Sequence, residues 1–319
     1  MNSESSKYIF KTLLAIFIVS ILVDRVVFSG FNKISDRVFS GQTVGKLNQY
    51  LKIKDSLEII VYGNSRANHH INTAQINKNS FNIGVDGTSI AYSGTLIKLL
   101  SNKKKQIILL HIEPEEVFNK NYSGNDIKFL KIKYNRNSTI KEEIDKIKQN
   151  NFFQNFYYSL SYNGVFGGII KNYFEPNYDY KTYFGYDPIY VNKNQKEIFK
   201  KIVNEKKFTD NASSQRVFEM CKNDLEINKI YSNYINELKD FCLTNNKKLI
   251  IFTSPYFFEN CKIYNEKLKE ILKTKKIDYY DFSDLFKENN QLKFWKDSSH
   301  LSSLGAEIFT EEIKNLLEE

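Results

Sequence analysis

The chain has 319 residues, of which 41% are apolar and 15% are aromatic. This composition can bury one large hydrophobic core, and it excludes a disordered or fibrous protein. The formal net charge of +9 would suit an anionic partner. However, the lysines are spread along the chain and no nucleic-acid-binding motif is present, so we expect no nucleic-acid partner.

The first predicted element is an apolar segment at the N-terminus. Residues 9–23 carry few polar side chains, and the polar face that a helix of a soluble domain needs is missing. The segment is short for a span of about 20 residues, although flanking lysines and arginines can extend to the interface. No small-residue cleavage site follows, which favours a retained anchor over a cleaved signal peptide. We predict a membrane anchor over residues 1–30, and the balanced flanking charges leave its orientation open.

Five apolar segments predict a parallel sheet. Each is short and is followed by a turn, as buried parallel strands are. They lie within residues 57–63, 80–87, 106–112, 249–255 and 277–283. Helical patterns occupy residues 88–100, 226–245, 261–273 and 302–317. The alternation predicts an α/β domain over residues 31–319, a three-layer sandwich whose ligands bind at the carboxyl ends of the strands.

Between residues 119 and 225 this alternation stops. The segment is rich in Tyr, Phe, Asn and Lys, as in NFFQNFYYSLSYNGVF. A structureless loop of that length is improbable in a compact domain, so we predict a helical insertion or lid. Its aromatic side chains would form either the insertion's own core, which we favour, or a platform for a sugar ring.

Three polar residues match the needs of serine catalysis, which requires a nucleophile, a base, a group that orients the base and donors for an oxyanion. Ser65 follows the first predicted strand, and His300 precedes the last helix with Asp297 three residues upstream. That spacing lets the carboxylate approach one ring nitrogen of His300 while the other points at the serine. Of the remaining histidines, His69 and His70 follow Ser65 in the first helical turn and fit the role of a surface or packing residue as well as that of a base. His111 lies inside an apolar strand, where we expect a core histidine.

Three short motifs resemble blocks of the SGNH (GDSL) hydrolase superfamily. They are GNSR at residues 63–66, NIGVDG at 82–87 and DSSHL at 297–301. They resemble the first, second and fifth blocks, and the resemblance covers about residues 57–112 and 249–317. It is strongest to the anchored bacterial branch that includes alginate O-acetyltransferases and the lipoteichoic acid D-alanyl transfer protein.

The resemblance implies a role for each matching residue. Ser65 would be the nucleophile, His300 the base and Asp297 the orienting acid, and the backbone N–H groups of Ser65 and Gly87 would form the oxyanion hole. The family's usual Asn donor after the third strand has no match, because residues 111–115 read HIEPE. Loss of one such donor typically costs about 10²-fold to 10³-fold in rate.

Arg66 and Asp86 are weaker candidates for substrate binding. Arg66 could hold an anionic group or a sugar hydroxyl, but a pairing with Asp86 or Glu113 that fixes the loops is the favoured expectation. Asp86 could equally serve its own turn, because acidic side chains often hydrogen-bond the turn that carries them.

The anchor and the resemblance lead to a functional expectation. We expect a serine esterase or O-acyltransferase of the bacterial cell envelope, with its catalytic domain outside the cytoplasm, that acts on polysaccharide or another acylated small substrate. A transferase would need an acyl donor, which a membrane-bound O-acyltransferase partner could present. The alternative is a catalytically inert module of the same fold that binds a glycan or a membrane partner. No metal or organic cofactor is implied, since neither a ligand cluster nor a phosphate loop is present.

Overall fold

The computed structural model describes residues 3–176, 183–210, 225–258 and 261–318. Within them, five strands form one parallel sheet in the order β2-β1-β3-β4-β5. The strands are β1 (Ile59–Tyr62), β2 (Ser80–Asn82), β3 (Gln106–His111), β4 (Lys247–Thr253) and β5 (Asp278–Asp281). The predicted α/β class and the five parallel strands are confirmed.

Helices fill most of the remaining described residues. The α-helices are α1 (Ser3–Ser35), α2 (Lys46–Ile53), α3 (Ser65–His70), α4 (Thr73–Ile76), α5 (Ile90–Ile97), α6 (Pro114–Val117), α7 (Ser138–Lys146), α8 (Phe166–Phe174), α9 (Lys193–Asp210), α10 (Lys229–Thr244), α11 (Lys262–Thr274) and α12 (Ser303–Glu318). Short 3₁₀ helices occupy Asn125–Lys133, Phe152–Asn155, Tyr158–Tyr162 and Leu292–Phe294, and a π-helical turn occupies Gly41–Gly45. The helices predicted in the two sheet-forming regions are therefore present close to their expected bounds.

The two faces of the sheet pack against different helices, because successive side chains of a strand point to opposite faces. On one face, Ile60 and Tyr62 of β1 share a buried cluster with apolar residues of α2, α5, α10 and α11. On the other face, Val61 of β1 and Phe252 of β4 share a second buried cluster with residues of α3, α9 and α12. Burial on both faces explains why the central strands are apolar throughout.

The N-terminal helix continues from the apolar segment into the domain. Helix α1 has 33 residues, which corresponds to about 50 Å, and it ends at Ser35 rather than at the predicted residue 30. It is long and apolar enough to cross a membrane, with a mean hydropathy of 2.2 over a window that is only 11% buried. Side chains from Tyr8 to Val27 are mainly exposed, whereas Phe28 is buried in the domain core.

The described part of the predicted insertion, residues 119–176 and 183–210, is helical and contains no strand. Several of its apolar side chains lie in the main core rather than in a separate one. These are Ile127, Leu130, Ile132, Tyr134, Ile140 and Ile144. Residues 177–182 and 211–224 of the predicted insertion lie outside the described residues.

Candidate active site

Ser65, His300 and Asp297 form a hydrogen-bonded chain at the carboxyl edge of the sheet. Nε2 of His300 lies 2.9 Å from Oγ of Ser65, although the two residues are 235 positions apart in the sequence. Nδ1 of His300 lies 3.0 Å from both carboxylate oxygens of Asp297. The side chain of His300 is 23% exposed, so the ring is partly accessible from solvent.

A tight turn after β1 positions Ser65. Gly63 has a φ of +144°, in the region that favours glycine, and a Cβ there would lie only 2.7 Å from Cβ of His111. Asn64 then caps α3, because its side chain accepts a hydrogen bond from the backbone N–H of Arg66 at 2.9 Å. Ser65 is consequently the first residue of the helix, where a backbone N–H has no intrahelical partner.

The loop before α12 holds His300 through the carboxylate of Asp297. Oδ1 of Asp297 accepts the backbone N–H groups of Ser299 and His300, each at 2.9 Å. Burial alone would raise the pKa of Asp297, but the hydrogen bonds from His300 and from these backbone groups lower that pKa well below its ordinary value. The carboxylate is therefore ionised and can orient the imidazole of His300.

His70 connects the serine helix to the histidine loop. It is fully buried, and its Nε2 accepts the backbone N–H of Leu301 at 3.0 Å. Burial, followed by the nearby charges of Arg66 and His300, lowers the pKa of His70 well below its ordinary value. The ring is therefore neutral and able to accept. The sequence left His70 open as a base or as a surface or packing residue, and it did not reveal this contact, because the partner is 231 positions away.

The two expected oxyanion donors lie on neighbouring turns. Gly87 is exposed on a turn with a φ of +72°. The same turn is held beside the Ser65 turn, since the N–H of Val85 donates to the carbonyl of Gly63 at 3.0 Å. Among the described residues, neither the N–H of Ser65 nor that of Gly87 donates a hydrogen bond to the protein. Both groups are therefore free to bind an anionic oxygen.

Arg66 pairs with Glu113 behind the serine turn, one of the two pairings that the sequence suggested. Nη1 of Arg66 lies 2.7 Å from Oε2 of Glu113, and Nη2 donates to the carbonyl of Ser254 at 2.7 Å. The guanidinium also stacks on the ring of Tyr256 at 3.6 Å. Arg66 is only 3% exposed. Its side chain therefore binds neighbouring protein groups and is not accessible from the crevice.

Glu113, in the turn that follows β3, is therefore a structural counter-charge. Burial would raise the pKa of Glu113, but the charge of Arg66 and then that of His111 lower this pKa to about 2. The side chains of Tyr256 and Asn64 also donate hydrogen bonds to the carboxylate. Glu113 is thus ionised, and both of its carboxylate oxygens accept hydrogen bonds from residues in the wall of the site.

Asp86 belongs to a separate polar cluster beside the crevice. Its carboxylate accepts hydrogen bonds from Nδ2 of Asn68 at 2.9 Å, from Nε2 of His69 at 3.2 Å and from Nε2 of Gln42 at 3.2 Å. These bonds lie outside its own turn, and the side chain remains 46% exposed. Of the two weaker substrate-binding candidates, Asp86 is the one that is accessible from solvent.

Two further titratable residues belong to this cluster: His69, which the sequence left open as a base or a packing residue, and Lys46, which the sequence did not single out. The ring of His69 lies 6.0 Å from that of His300, and its Nδ1 contacts the carbonyl of Asp187 at 2.6 Å. Lys46 is fully buried and donates to Asn68 at 2.6 Å, and this burial lowers the pKa of its ammonium group to about 7. The i to i+4 spacing from Ser65 to His69 was the available signal, because it places both residues on one helix face.

This arrangement can support acyl transfer through a serine. The imidazole can take the hydroxyl proton, the carboxylate can stabilise the resulting cation, and two backbone N–H groups can bind the developing oxyanion. Among the described residues, no group of three or more His, Cys, Asp and Glu side chains could hold a metal ion. No model of a known protein family matches the chain, and no curated protein matches its sequence.

Proposed function

We propose that this protein is a membrane-anchored serine esterase or O-acyltransferase of the SGNH type that works through an acyl-Ser65 intermediate. The observation that carries the proposal is the 2.9 Å contact between Oγ of Ser65 and Nε2 of His300. A serine hydroxyl that merely caps a helix would have no need of an imidazole that is itself oriented by a carboxylate.

The proposed reaction follows from these positions. Oγ of Ser65 attacks the carbonyl carbon of an ester while His300 accepts the hydroxyl proton and Asp297 stabilises the imidazolium. The N–H groups of Ser65 and Gly87 donate to the oxyanion. The ester C–O bond then breaks, and His300 gives the proton to the leaving alkoxide. Water, or an acceptor hydroxyl, attacks the acyl-serine in the second half of the reaction, with His300 again as the base.

One departure from the family pattern bears on the rate. The family's Asn donor after the third strand has no match in this chain, and the carboxylate of Glu113 in that stretch accepts from Arg66 instead of donating to substrate. With one donor fewer, we expect turnover to be about 10²-fold to 10³-fold slower than that of a three-donor site. The same departure favours the alternative function, a catalytically inert module that binds a glycan or a membrane partner.

The proposal also covers the fold and the domain boundaries. We propose that the helices on the two faces of the sheet form the three-layer sandwich of the SGNH superfamily, with one domain over residues 31–319 and the insertion within residues 119–225. The two buried clusters, one on each face, support this arrangement.

The proposed setting is the outside of the bacterial cytoplasmic membrane, with an acylated envelope polysaccharide as substrate. The apolar length of α1 supports a membrane anchor. Cys261 is disulfide-bonded, and structural disulfides persist mainly in oxidising compartments outside the cytoplasm. If the reaction is a transfer, a membrane-bound O-acyltransferase is the proposed donor partner.

A fluorophosphonate probe tests the reaction with the full chain in detergent. We expect the wild type to be labelled and to hydrolyse an aryl acetate, and Ser65→Ala to lose both properties. Ser56→Ala, at an exposed turn after α2, is the matched serine control and should behave as the wild type. Absence of both labelling and turnover in the wild type would refute the enzyme and leave the inert module.

Esterase and transferase differ in the second half of the reaction. With labelled acyl donor, an esterase releases the free acid whether or not glycan is present. A transferase releases little acid and moves the label to the glycan. In either case the product should disappear with Ser65→Ala.

A further inference from the structure

Three exposed phenylalanines lie together in the aromatic segment between α7 and α8. Phe152, Phe153 and Phe156 are 68%, 60% and 36% exposed, and the ring of Phe152 lies within 6 Å of the other two. We name these three residues the aromatic tip. Large apolar side chains that are exposed as a group usually mark a surface that contacts a membrane or another molecule.

Contacts with α1 define where the aromatic tip lies. The hydroxyl of Tyr162 donates to Asn32 at 2.6 Å near the C-terminal end of α1, and the ring of Phe156 lies 6.1 Å from that of Phe17. Between Asn32 and Phe17 the helix rises about 22 Å. The segment therefore runs along α1, and the aromatic tip lies at the end that points toward the apolar N-terminal half.

A buried carboxylate fixes this segment to the helix. Asp24 of α1 accepts the backbone N–H groups of Tyr158 at 2.7 Å and Ser159 at 3.1 Å, and it also accepts the hydroxyl of Ser159. Arg25 pairs with Asp24 and lies 3.3 Å above the ring of Tyr158. Such a capped and paired carboxylate holds the aromatic tip at a defined height on α1.

On the N-terminal side of Asp24, the surface of α1 is apolar and exposed. Toward the N-terminus from Asp24, side chains such as Ile16 and Val19 are about as exposed as the aromatic tip, at 60% and 57%. Asp24 and Arg25 are the first charged residues after the apolar run, so they mark the boundary of a span that α1 would make. Phe17 is then about 10 Å deeper along the helix, at the depth where apolar groups of interfacial elements reside.

We infer that the aromatic tip inserts into the lipid interface of the leaflet from which α1 emerges. The domain would then be docked on the bilayer at two adjoining points, the helix and the tip, rather than tethered by the helix alone. Continuity between the tip and the exposed apolar surface of α1 favours lipid as the occupant. A sugar platform, the other role considered for these rings, would need to lie beside Ser65 rather than on the apolar half of α1. The inference rests on α1 lying in a membrane and is independent of the acyl chemistry.

Fluorescence quenching by lipid tests the inference. The chain contains one tryptophan, Trp295, which is buried, so a second tryptophan gives a distinguishable signal. The full-length Phe153→Trp variant is reconstituted at low density into phosphatidylcholine vesicles with bromine at different depths of the acyl chains. We expect the added emission to be quenched, most strongly by bromine about 5–10 Å below the headgroups.

Phe174→Trp is the matched control. Phe174 is 74% exposed at the end of α8, and Asn172 of the same helix lies against Gly41, beyond the C-terminal end of α1. We expect no quenching of its added emission by brominated lipid. Equal quenching of the two variants, or none for Phe153→Trp, would overturn the inference.

A second copy of the chain is the competing occupant, and dilution separates it from lipid. Quenching of Phe153→Trp by lipid should be unchanged when protein density in the vesicles is lowered. Quenching that appears only on dilution would mean that another copy covers the tip at higher density, which contradicts the inference. Fluorophosphonate labelling of the same variants reports the acyl chemistry separately, so failure of either proposal is recognisable.

Discussion

Replacing Glu113 with Gln is expected to lower the free energy of unfolding, because it destabilises the wall of the candidate active site. Glu113 is the counter-charge of Arg66, which is only 3% exposed. Gln keeps the size of the side chain and one acceptor oxygen, for either Tyr256 or Asn64, which donate to different oxygens of Glu113. It leaves the buried guanidinium without an anion. Removing one partner of a buried pair costs about 3–5 kcal/mol, because the remaining charge is desolvated and uncompensated.

The lowered pKa of Glu113 gives a similar estimate of its contribution to stability, and it predicts how that contribution depends on pH. Folding lowers this pKa from 4.5 to about 2, which corresponds to about 3 kcal/mol of stability. Because the pKa is lower in the folded state, the contribution is fully present above pH 4.5 and is lost as the pH falls through about 2. The stability difference between wild type and Glu113→Gln should therefore be constant near neutral pH and shrink in acid.

Urea unfolding of the full chain in detergent, followed by Trp295 emission and circular dichroism, measures this difference. The matched control is Glu58→Gln, which removes a surface pair with Lys104 at 3.7 Å from a side chain that is 48% exposed. We expect that control to lose about 0–1 kcal/mol. The reasoning is refuted if the two variants lose the same free energy of unfolding. It is also refuted if the loss caused by Glu113→Gln is as large in acid as at neutral pH.

Four further substitutions probe the site. Asp297→Asn should keep the loop but favour the wrong tautomer of His300, lowering ester turnover by about 10⁴-fold; turnover near that of the wild type would exclude the orienting role. His70→Ala should lower the free energy of unfolding by about 1–3 kcal/mol, since the buried N–H of Leu301 loses its acceptor. An unchanged urea midpoint would contradict this. Gly63→Ala should destabilise more than Gly87→Ala, because a Cβ at the first position meets packed atoms and at the second meets open space. Gly87→Ala should cost only the left-handed backbone penalty of about 1–2 kcal/mol, and equal thermal shifts would argue against close packing at Gly63.

Local patterns in the sequence were sufficient to predict the sheet and the turn that carries Ser65. A strand buried on both faces must be apolar throughout, so β1, β3 and β4 were recognisable as short apolar runs. A glycine turn follows β1, and an Asp three residues before His300 lies on the same loop. Since carboxyl ends of parallel strands share one edge, the convergence of Ser65 with that loop could be anticipated.

Only the tertiary structure decided how polar and aromatic side chains pair over long separations. The sequence left Arg66 with two candidate partners, and the fold brings it against Glu113, 47 positions away. It likewise places His70 against a backbone group of the histidine loop and lays the aromatic segment along α1. The physical reason is that periodicity encodes which side chains are buried, whereas the identity of a partner depends on where distant elements pack.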